Sequence, residues 1–500
     1  MNLEEARIEF MELQKKISAF KHAEAILSWD TEIVAPPGTA ENTAHSVEMI
    51  NQELFSLKAG EETKELLLLL NESKDMLTVK ERRSLEYMLR DVERKNQIPP
   101  DEYAHYERAM AEAQEAWYRA VEENDFNILC DKQREVFDIL KTFAKYCSPD
   151  KDPYEYCMDE FEEGLTIETC DTMFDAIKTR LLPLFERIKD RPQIDDAPIK
   201  GHFTRESQES LAIYIMELLG LDLTRVGLAT SDQPFTMFFG SHFDERIATK
   251  YAPEDYSLSL YTIMNQAGHV LYDMGQDDNF AYTALDGMVS KSLQEAQGRF
   301  YENIIGKNKA FIDYIYPDLA DMFSNPVENY TPEDVYRAVN KVEAGLIRMD
   351  ADELTFNLHL LVRYELEKAI LHNELDVRDL PDAWNQKYKE YLGVDVPDDE
   401  SGVLQDIHWP FGYIGYFPIY ALGNFYSAQM AEKMRSEISI ADCIATGDFA
   451  LVNMWNKLRV WKHGGLYDSK HIMERIVKTP FSTEPYINYL TNKYTEIYNL

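Results

Sequence analysis

The segment Asn265-Gln266-Ala267-Gly268-His269 has the most chemically suggestive spacing in the chain. Asn265 and His269 stand four residues apart, so on a helix both side chains leave the same face. Were positions 265, 266 and 269 His, Glu and His, the segment would read H-E-x-x-H. That pattern places two imidazoles on zinc and a carboxylate beside the metal's water. Here a carboxamide replaces the first imidazole, and amide oxygen is a poor donor for zinc. Gln266 stands at the base position, and it has no basic lone pair with which to take a proton. Half of a metal site is legible: one histidine without its partners. A lone histidine on a helix also has an ordinary reading, as a hydrogen-bonded packing residue.

The element that positions these residues is predicted to be a helix over 254–275. Leu260, Ile263, Met264, Ala267, Leu271 and Met274 fall on one broad face, and Gly275 supplies the stop. The plausible strands lie just before it, in the aromatic run Gln233–Gly240 and in Asp244–Thr249. Elsewhere the pattern is helical. Leu85, Met88, Leu89 and Val92 recur at spacings of three and four, Pro99-Pro100 breaks the chain, and Tyr103, Tyr106, Met110, Ala113 and Trp117 resume it. The 21 glycines and 20 prolines are too few for a turn-rich barrel or sandwich. Loops are predicted at 148–153, 190–200 and 394–402, none with the composition of a flexible linker. The expectation is therefore an all-α chain with a small sheet, forming one unit over 1–500. A coarse division separates an N-terminal helical region, 1–150, from a larger body, 151–500.

Composition narrows the partners. With 51 Lys and Arg against 89 Asp and Glu, the chain carries a formal charge of −38 and repels phosphate backbones and anionic membranes. No nucleic acid and no membrane are expected as partners. The acidity is spread evenly: residues 233–300 carry −5, the average density of the chain. The acidic start is unlike a secretory leader, no run approaches a membrane span, and the five cysteines are dispersed without C-x-x-C. A cytoplasmic protein is expected.

Beyond the helix, further segments carry a resemblance. Residues 265–275 resemble the signature H-E-A-G-H-A-L-Y-E-x-G of the carboxypeptidase Taq family of zinc metallocarboxypeptidases. Ser292–Arg299 is similar to the family's H-E-S-Q-S-R stretch, Ile347–Asp352 to I-R-x-x-A-D, and Gly402–Trp409 to G-x-x-Q-D-x-H-W. Trp29-Asp30, Gly415–Pro418 and the closing Tyr489-Leu490 with Lys493-Tyr494 extend the likeness over nearly the whole chain in family order. The resemblance implies a helical body with a deep substrate groove, release of C-terminal residues from peptides, a zinc cofactor and a homodimer. By position it implies His269 and Glu295 as residual metal ligands, Asn265 in place of the other histidine, and Gln266 in place of the catalytic glutamate. Gln233, Gln294 and Ala248 are further departures. It also implies Arg348 and Arg246 as holders of the peptide's terminal carboxylate. His408 and Tyr420 are implied beside the scissile carbonyl.

Three readings stay open at this level. One is a member without catalysis that still binds peptide C-termini. Another is an active carboxypeptidase whose metal site is completed by a residue such as His242 or Asp273. The last is a structural or dimerisation scaffold. Ordinary roles compete for single residues too: Glu295 has Arg299 four positions on, Arg348 has Asp350, Asp352 and Glu353 nearby, and His408 precedes Trp409 and Pro410.

Overall fold

Helix signals in the chain are local and strong. The first helix, Leu3–Ile33, opens on a capping box in which the Asn2 side chain accepts from the Glu5 amide (3.0 Å) and Glu5 accepts from the Asn2 amide (2.9 Å). The break at Pro99-Pro100 falls between helices Val79–Gln97 and Pro100–Glu123. Helices of this kind make up most of the computed structural model, which describes residues 2–500, the side chains at 37, 40, 91 and 95 excepted. Leu66, Leu67 and Leu70 join Phe10, Ile17, Leu54 and Leu85 in one buried cluster.

The chain assembles into two compact units, each from three segments. Unit one comprises residues up to Arg94, then Ala197–Tyr336 and Met430–Pro480. It holds the sheet, the 265–269 motif and Glu295. Unit two comprises Lys95–Asp196, Arg337–Gln429 and Phe481–Leu500, and holds Arg348, His408 and Tyr420. Position 150, where the coarse division was placed, lies inside unit two.

The sheet of unit one has three strands, β1 (Val226–Thr230), β2 (Phe235–Phe238) and β3 (Glu245–Thr249), in the order β1-β3-β2. β3 is central, parallel to β1 with Leu228 beside Ile247, and antiparallel to β2 with Thr236 beside the same residue. Both strands expected from the aromatic run and from 244–249 are present. β1 lies outside that window: Val-Gly-Leu-Ala-Thr has weak strand propensity, and pairing with β3 decides its conformation. Gly227 serves that pairing, since a Cβ there would lie 3.3 Å from Cγ of Arg246, its neighbour on β3.

The motif helix is Tyr256–Met274, capped by Asp255, whose carboxylate accepts from the Ser257 amide at 2.8 Å. The expected apolar face is buried except for Met274, which is half-buried, but so are Ser259, Tyr261, Val270, Tyr272 and Asp273. The helix is interior on nearly every side. Its tightest neighbour is helix Lys291–Arg299, which continues into a π-helical turn, Phe300–Gly306. The two run antiparallel: Asn265 meets Glu302, Gly268 meets Gln297, and Asp273 meets Gln294. A Cβ on Gly268 would fall 2.5 Å from the Gln297 carbonyl oxygen, so glycine sets how closely the backbones approach. Gly268→Ala should therefore destabilise unit one by about 1–3 kcal/mol, the cost of overpacking, measurable as a lower urea midpoint.

Candidate functional site

The stripe Asn265–His269 faces Glu302 and Gly298. Asn265 Nδ2 donates to Glu302 Oε2 at 2.9 Å, and His269 Nε2 lies 3.1 Å from Asn265 Oδ1. The ionised carboxylate can only accept, so the amide nitrogen must face it and the amide oxygen must face the histidine. His269 Nε2 therefore carries the proton and donates it to Asn265. Burial, then the charges of Arg299 and Lys291, lower the His269 pKa to about 4, so the ring is neutral at physiological pH. Burial would raise the Glu302 pKa. Arg299 (2.9 Å), Lys307 and the Asn265 amide outweigh it and hold the carboxyl below its ordinary value. Gly298 makes room for the pair: a Cβ there would sit 2.8 Å from His269 Nε2 and 2.9 Å from Asn265 Nδ2. Glu295, half-buried, lies one turn before Gly298 and so on the same side of its helix.

Gln266 turns away from this stripe toward the sheet. Its Nε2 donates to the Ala248 carbonyl on β3 at 3.0 Å, and its Oε1 is buried without a hydrogen-bond partner. Arg246, on the same strand, pairs with Asp244 (3.3 Å) and lies over the Phe239 ring at 3.7 Å.

One turn beyond His269 the stripe runs into a buried polar cluster. Asp273 accepts from Gln294 at 2.8 Å, and His242 Nδ1 lies 2.6 Å from Asp286, which also accepts from the amides of His242 and Tyr282. His242 and Asp273, the candidates for completing a metal site, are thus already engaged. Among the described residues, no group of three His, Cys, Asp or Glu is placed to hold a metal ion. Burial, with Asp286 adding to it and Lys291, Gln294 and His242 opposing, pushes the Asp273 pKa up to about 7. Burial and the neighbouring Asp273 raise that of Glu245 as well.

Unit two holds the other predicted residues. Arg348 is 5% exposed, and its Nε (3.0 Å) and Nη2 (2.9 Å) both donate to Asp406 Oδ1. Arg363 Nε donates to the second oxygen of Asp406, and Gln405 Oε1 accepts from the Arg348 amide and from Arg363 Nη2. Burial opposes ionisation of Asp406, but the two arginines prevail and keep its pKa well below the carboxylate range. Arg348 therefore pairs with Asp406 rather than with the acidic residues just after it in sequence. Its Nη1 makes no hydrogen bond to a described residue, and the guanidinium carbon lies 5.5 Å from the Tyr420 ring centre. His408 Nε2 is 3.3 Å from the Tyr420 hydroxyl, and its Nδ1 is 3.8 Å from Asp406. Burial lowers the His408 pKa to about 4. Glu367 holds the loop that carries this histidine, accepting from Trp409 Nε1 (2.6 Å), the Gly415 amide (3.2 Å) and the Tyr154 hydroxyl (2.6 Å).

Within unit one the structure brings Asn265 and His269 together on a stripe that Glu295's helix packs against. Within unit two it joins Arg348, His408 and Tyr420 around Asp406. Sequence reasoning missed Glu302, Gly298 and Asp406. Asp406 stands inside a quoted motif, and Glu302 follows another by three residues. Neither residue type reveals its partner.

Two outcomes follow. Asp406→Asn leaves buried arginines without a counter-charge and should cost about 3–5 kcal/mol in unfolding free energy. Asp273 releases its proton near pH 7 when folded, against an ordinary value of 3.8, so the folded state binds more protons between those values. Its stabilising contribution is full below about pH 4 and is lost as pH rises through 7. Urea unfolding should thus show falling stability over that range, flattened in Asp273→Asn.

The chain is similar to known proteins over nearly its full length. The family model of the carboxypeptidase Taq (M32) metallopeptidases matches residues 9–494. Carboxypeptidase 1 of Bacillus subtilis (strain 168) is 32% identical over 98% of each chain. Thermostable carboxypeptidase 1 of Pyrococcus furiosus is 31% identical over 96% of each. Among solved structures, the M32 carboxypeptidase from Deinococcus radiodurans R1 matches with a TM-score of 0.95 at 31% identity, covering 99% of this chain and 100% of the other. Trypanosoma cruzi metallocarboxypeptidase 1 matches at 0.92 and 26% identity, with the same coverage. By sequence over nearly its full length and by fold, this chain belongs to the M32, or carboxypeptidase Taq, family of metallopeptidases.

Proposed function

We propose that this chain is a non-catalytic member of its family that binds the C-terminal end of peptides without cleaving them. The hydrogen bond from His269 Nε2 to Asn265 Oδ1 carries the reading. The donor set does not fit a family-type zinc. The remaining histidine uses its Nε2–H to satisfy an amide, and that amide is itself held by Glu302. Asn265 offers zinc only a weak carbonyl donor, and Glu295 alone cannot compensate. Without metal to acidify water and without a carboxylate at 266 to accept its proton, hydrolysis loses two contributions at once; the base alone is worth about 10²–10⁴ in rate.

Gly298 supports the same reading. By the resemblance it stands where the family has serine, and a Cβ would intrude on the Asn265–His269 pair. The Asn265–His269 pair is packed against Gly298 and held by Glu302. Peptide binding rests on Arg348 Nη1, with His408 and Tyr420 in the same unit. Asp406 takes the Nε edge of the guanidinium, so a carboxylate there meets its remaining end, Nη1 and the outer N–H of Nη2. The binding is expected to be weak and salt-sensitive.

Metal analysis of the purified chain together with release of C-terminal residues from N-blocked dipeptides tests the first half. The expected result is substoichiometric zinc and no turnover; turnover abolished by a chelator would restore the reading as an active carboxypeptidase. Calorimetry with a short peptide and its C-terminal amide tests the second half. The free acid should bind and the amide should not. If neither binds, the scaffold reading takes over. Asn265→His with Gln266→Glu should recover zinc affinity, read by metal titration. Catalysis should return only partly, because a carboxylate at 266 would face the Ala248 carbonyl that now accepts from the amide.

A further inference from the structure

Residues 450–478 reverse the charge of the molecule. They contain Lys457, Arg459, Lys462, Lys470, Arg475 and Lys478 against Asp468 and Glu474, a net +4 in a chain of −38. The segment opens with helix Ala450–Arg459, whose inner side buries Val452, Trp455 and Asn456. Its outer side presents Leu451, Met454 and Leu458, exposed by 46%, 58% and 53%. The spacing i, i+3, i+7 aligns the three in one row, with Lys457 on its border. One exposed leucine is unremarkable, but such a row is the anchor pattern by which helices dock in apolar contact.

Most cations of the segment are also without an ion pair to a described residue. Arg459 pairs with Glu437 at 3.1 Å, but Lys457, Lys462, Lys470, Arg475 and Lys478 form no ion pair with a described residue. This happens in a chain where carboxylates outnumber cations by 89 to 51. The helix is firmly held from behind, so its outer row is preorganised. Asn453 donates to the Leu219 carbonyl at 2.7 Å and accepts from the Tyr301 hydroxyl, while Trp461 Nε1 donates to Gln297 at 2.9 Å. Arg459 reaches the Ile476 carbonyl (3.4 Å), which ties the helix to the turn bearing Arg475 and Lys478.

We propose that this face docks an amphipathic helix of a partner protein, apolar along one side and acidic along its flanks. Charge complementarity selects that occupant. A second copy paired symmetrically through the same face would set +4 against +4. A membrane surface is disfavoured by the −38 of the whole chain, and three apolar side chains on a helix of ten residues make a shallow insertion at best.

The test uses the full chain and a synthetic amphipathic peptide of leucine and glutamate, with its lysine counterpart as control, read by fluorescence anisotropy at low and high salt. The acidic peptide should bind saturably and the basic one should not. Affinity should fall about tenfold or more both in Leu451→Ser/Met454→Ser/Leu458→Ser and in Lys457→Glu/Lys462→Glu. Leu451, Met454, Lys457 and Leu458 are exposed and Lys462 is half-buried, and unchanged thermal unfolding would verify that the variants remain folded. The proposal is overturned if the acidic peptide does not bind, or if both peptides bind alike. It also fails if the serine variant converts a dimer to a monomer in sedimentation, which would assign the row to a second copy. Binding to phosphatidylserine vesicles that the same variants abolish would assign it to a membrane instead.

Discussion

Glu302 can only accept hydrogen bonds, and that requirement orders the whole motif helix. Its ionised carboxylate, held by Arg299 and Lys307, turns the Asn265 amide so that nitrogen faces it. The amide oxygen is then directed at His269, and the histidine must place its proton on Nε2. A nitrogen that could have ligated metal becomes a donor. Gly298 leaves the space this needs, and Gly268 brings the neighbouring backbone close enough for the contacts to form. Glycine, amide and carboxylate thus act together. Any one of them read alone is an ordinary polar or small residue.

Unit two is ordered by a comparable constraint of opposite sense. Two arginines converge on the single carboxylate of Asp406, and Gln405 accepts from both residues. The desolvation cost of such a buried cluster is offset by these ion pairs and hydrogen bonds, which use both oxygens of Asp406. Arg348 is consequently a fixed cation whose Nε edge is occupied and whose outer end alone is left to meet a ligand. The long-range field of the chain repels anions. In the proposed role, recognition of a peptide terminus would depend on this local charge, that of two arginines, of which Asp406 neutralises one.

Much of the fold was legible because its signals are local. Apolar spacing predicted the motif helix and the helices flanking Pro99-Pro100, and the aromatic run before Asp244 predicted two of the three strands. β1 escaped because Gly227 and Ala229 carry no strand preference of their own; Arg246 and β3 supply it. The motif helix was read as amphipathic, yet it is buried nearly all round, since polar Ser259 and Asp273 find partners inside unit one. For Arg348, the ordinary alternative to a carboxylate holder is an ion pair with acidic residues within five positions, yet the partner lies 58 residues away.

Residue types alone name the functional groups: an amide at 265, an amide at 266, one imidazole at 269, and a chain whose order of motifs marks its family. Ligand chemistry depends on residue type, so the weakness of the zinc donors could be read without coordinates. Which atom of His269 carries the proton, which way Asn265 points, and which carboxylate holds Arg348 were decided only by the tertiary structure. A hydrogen bond depends on direction and distance, and residues 265 and 302, or 348 and 406, acquire both only when the chain has folded.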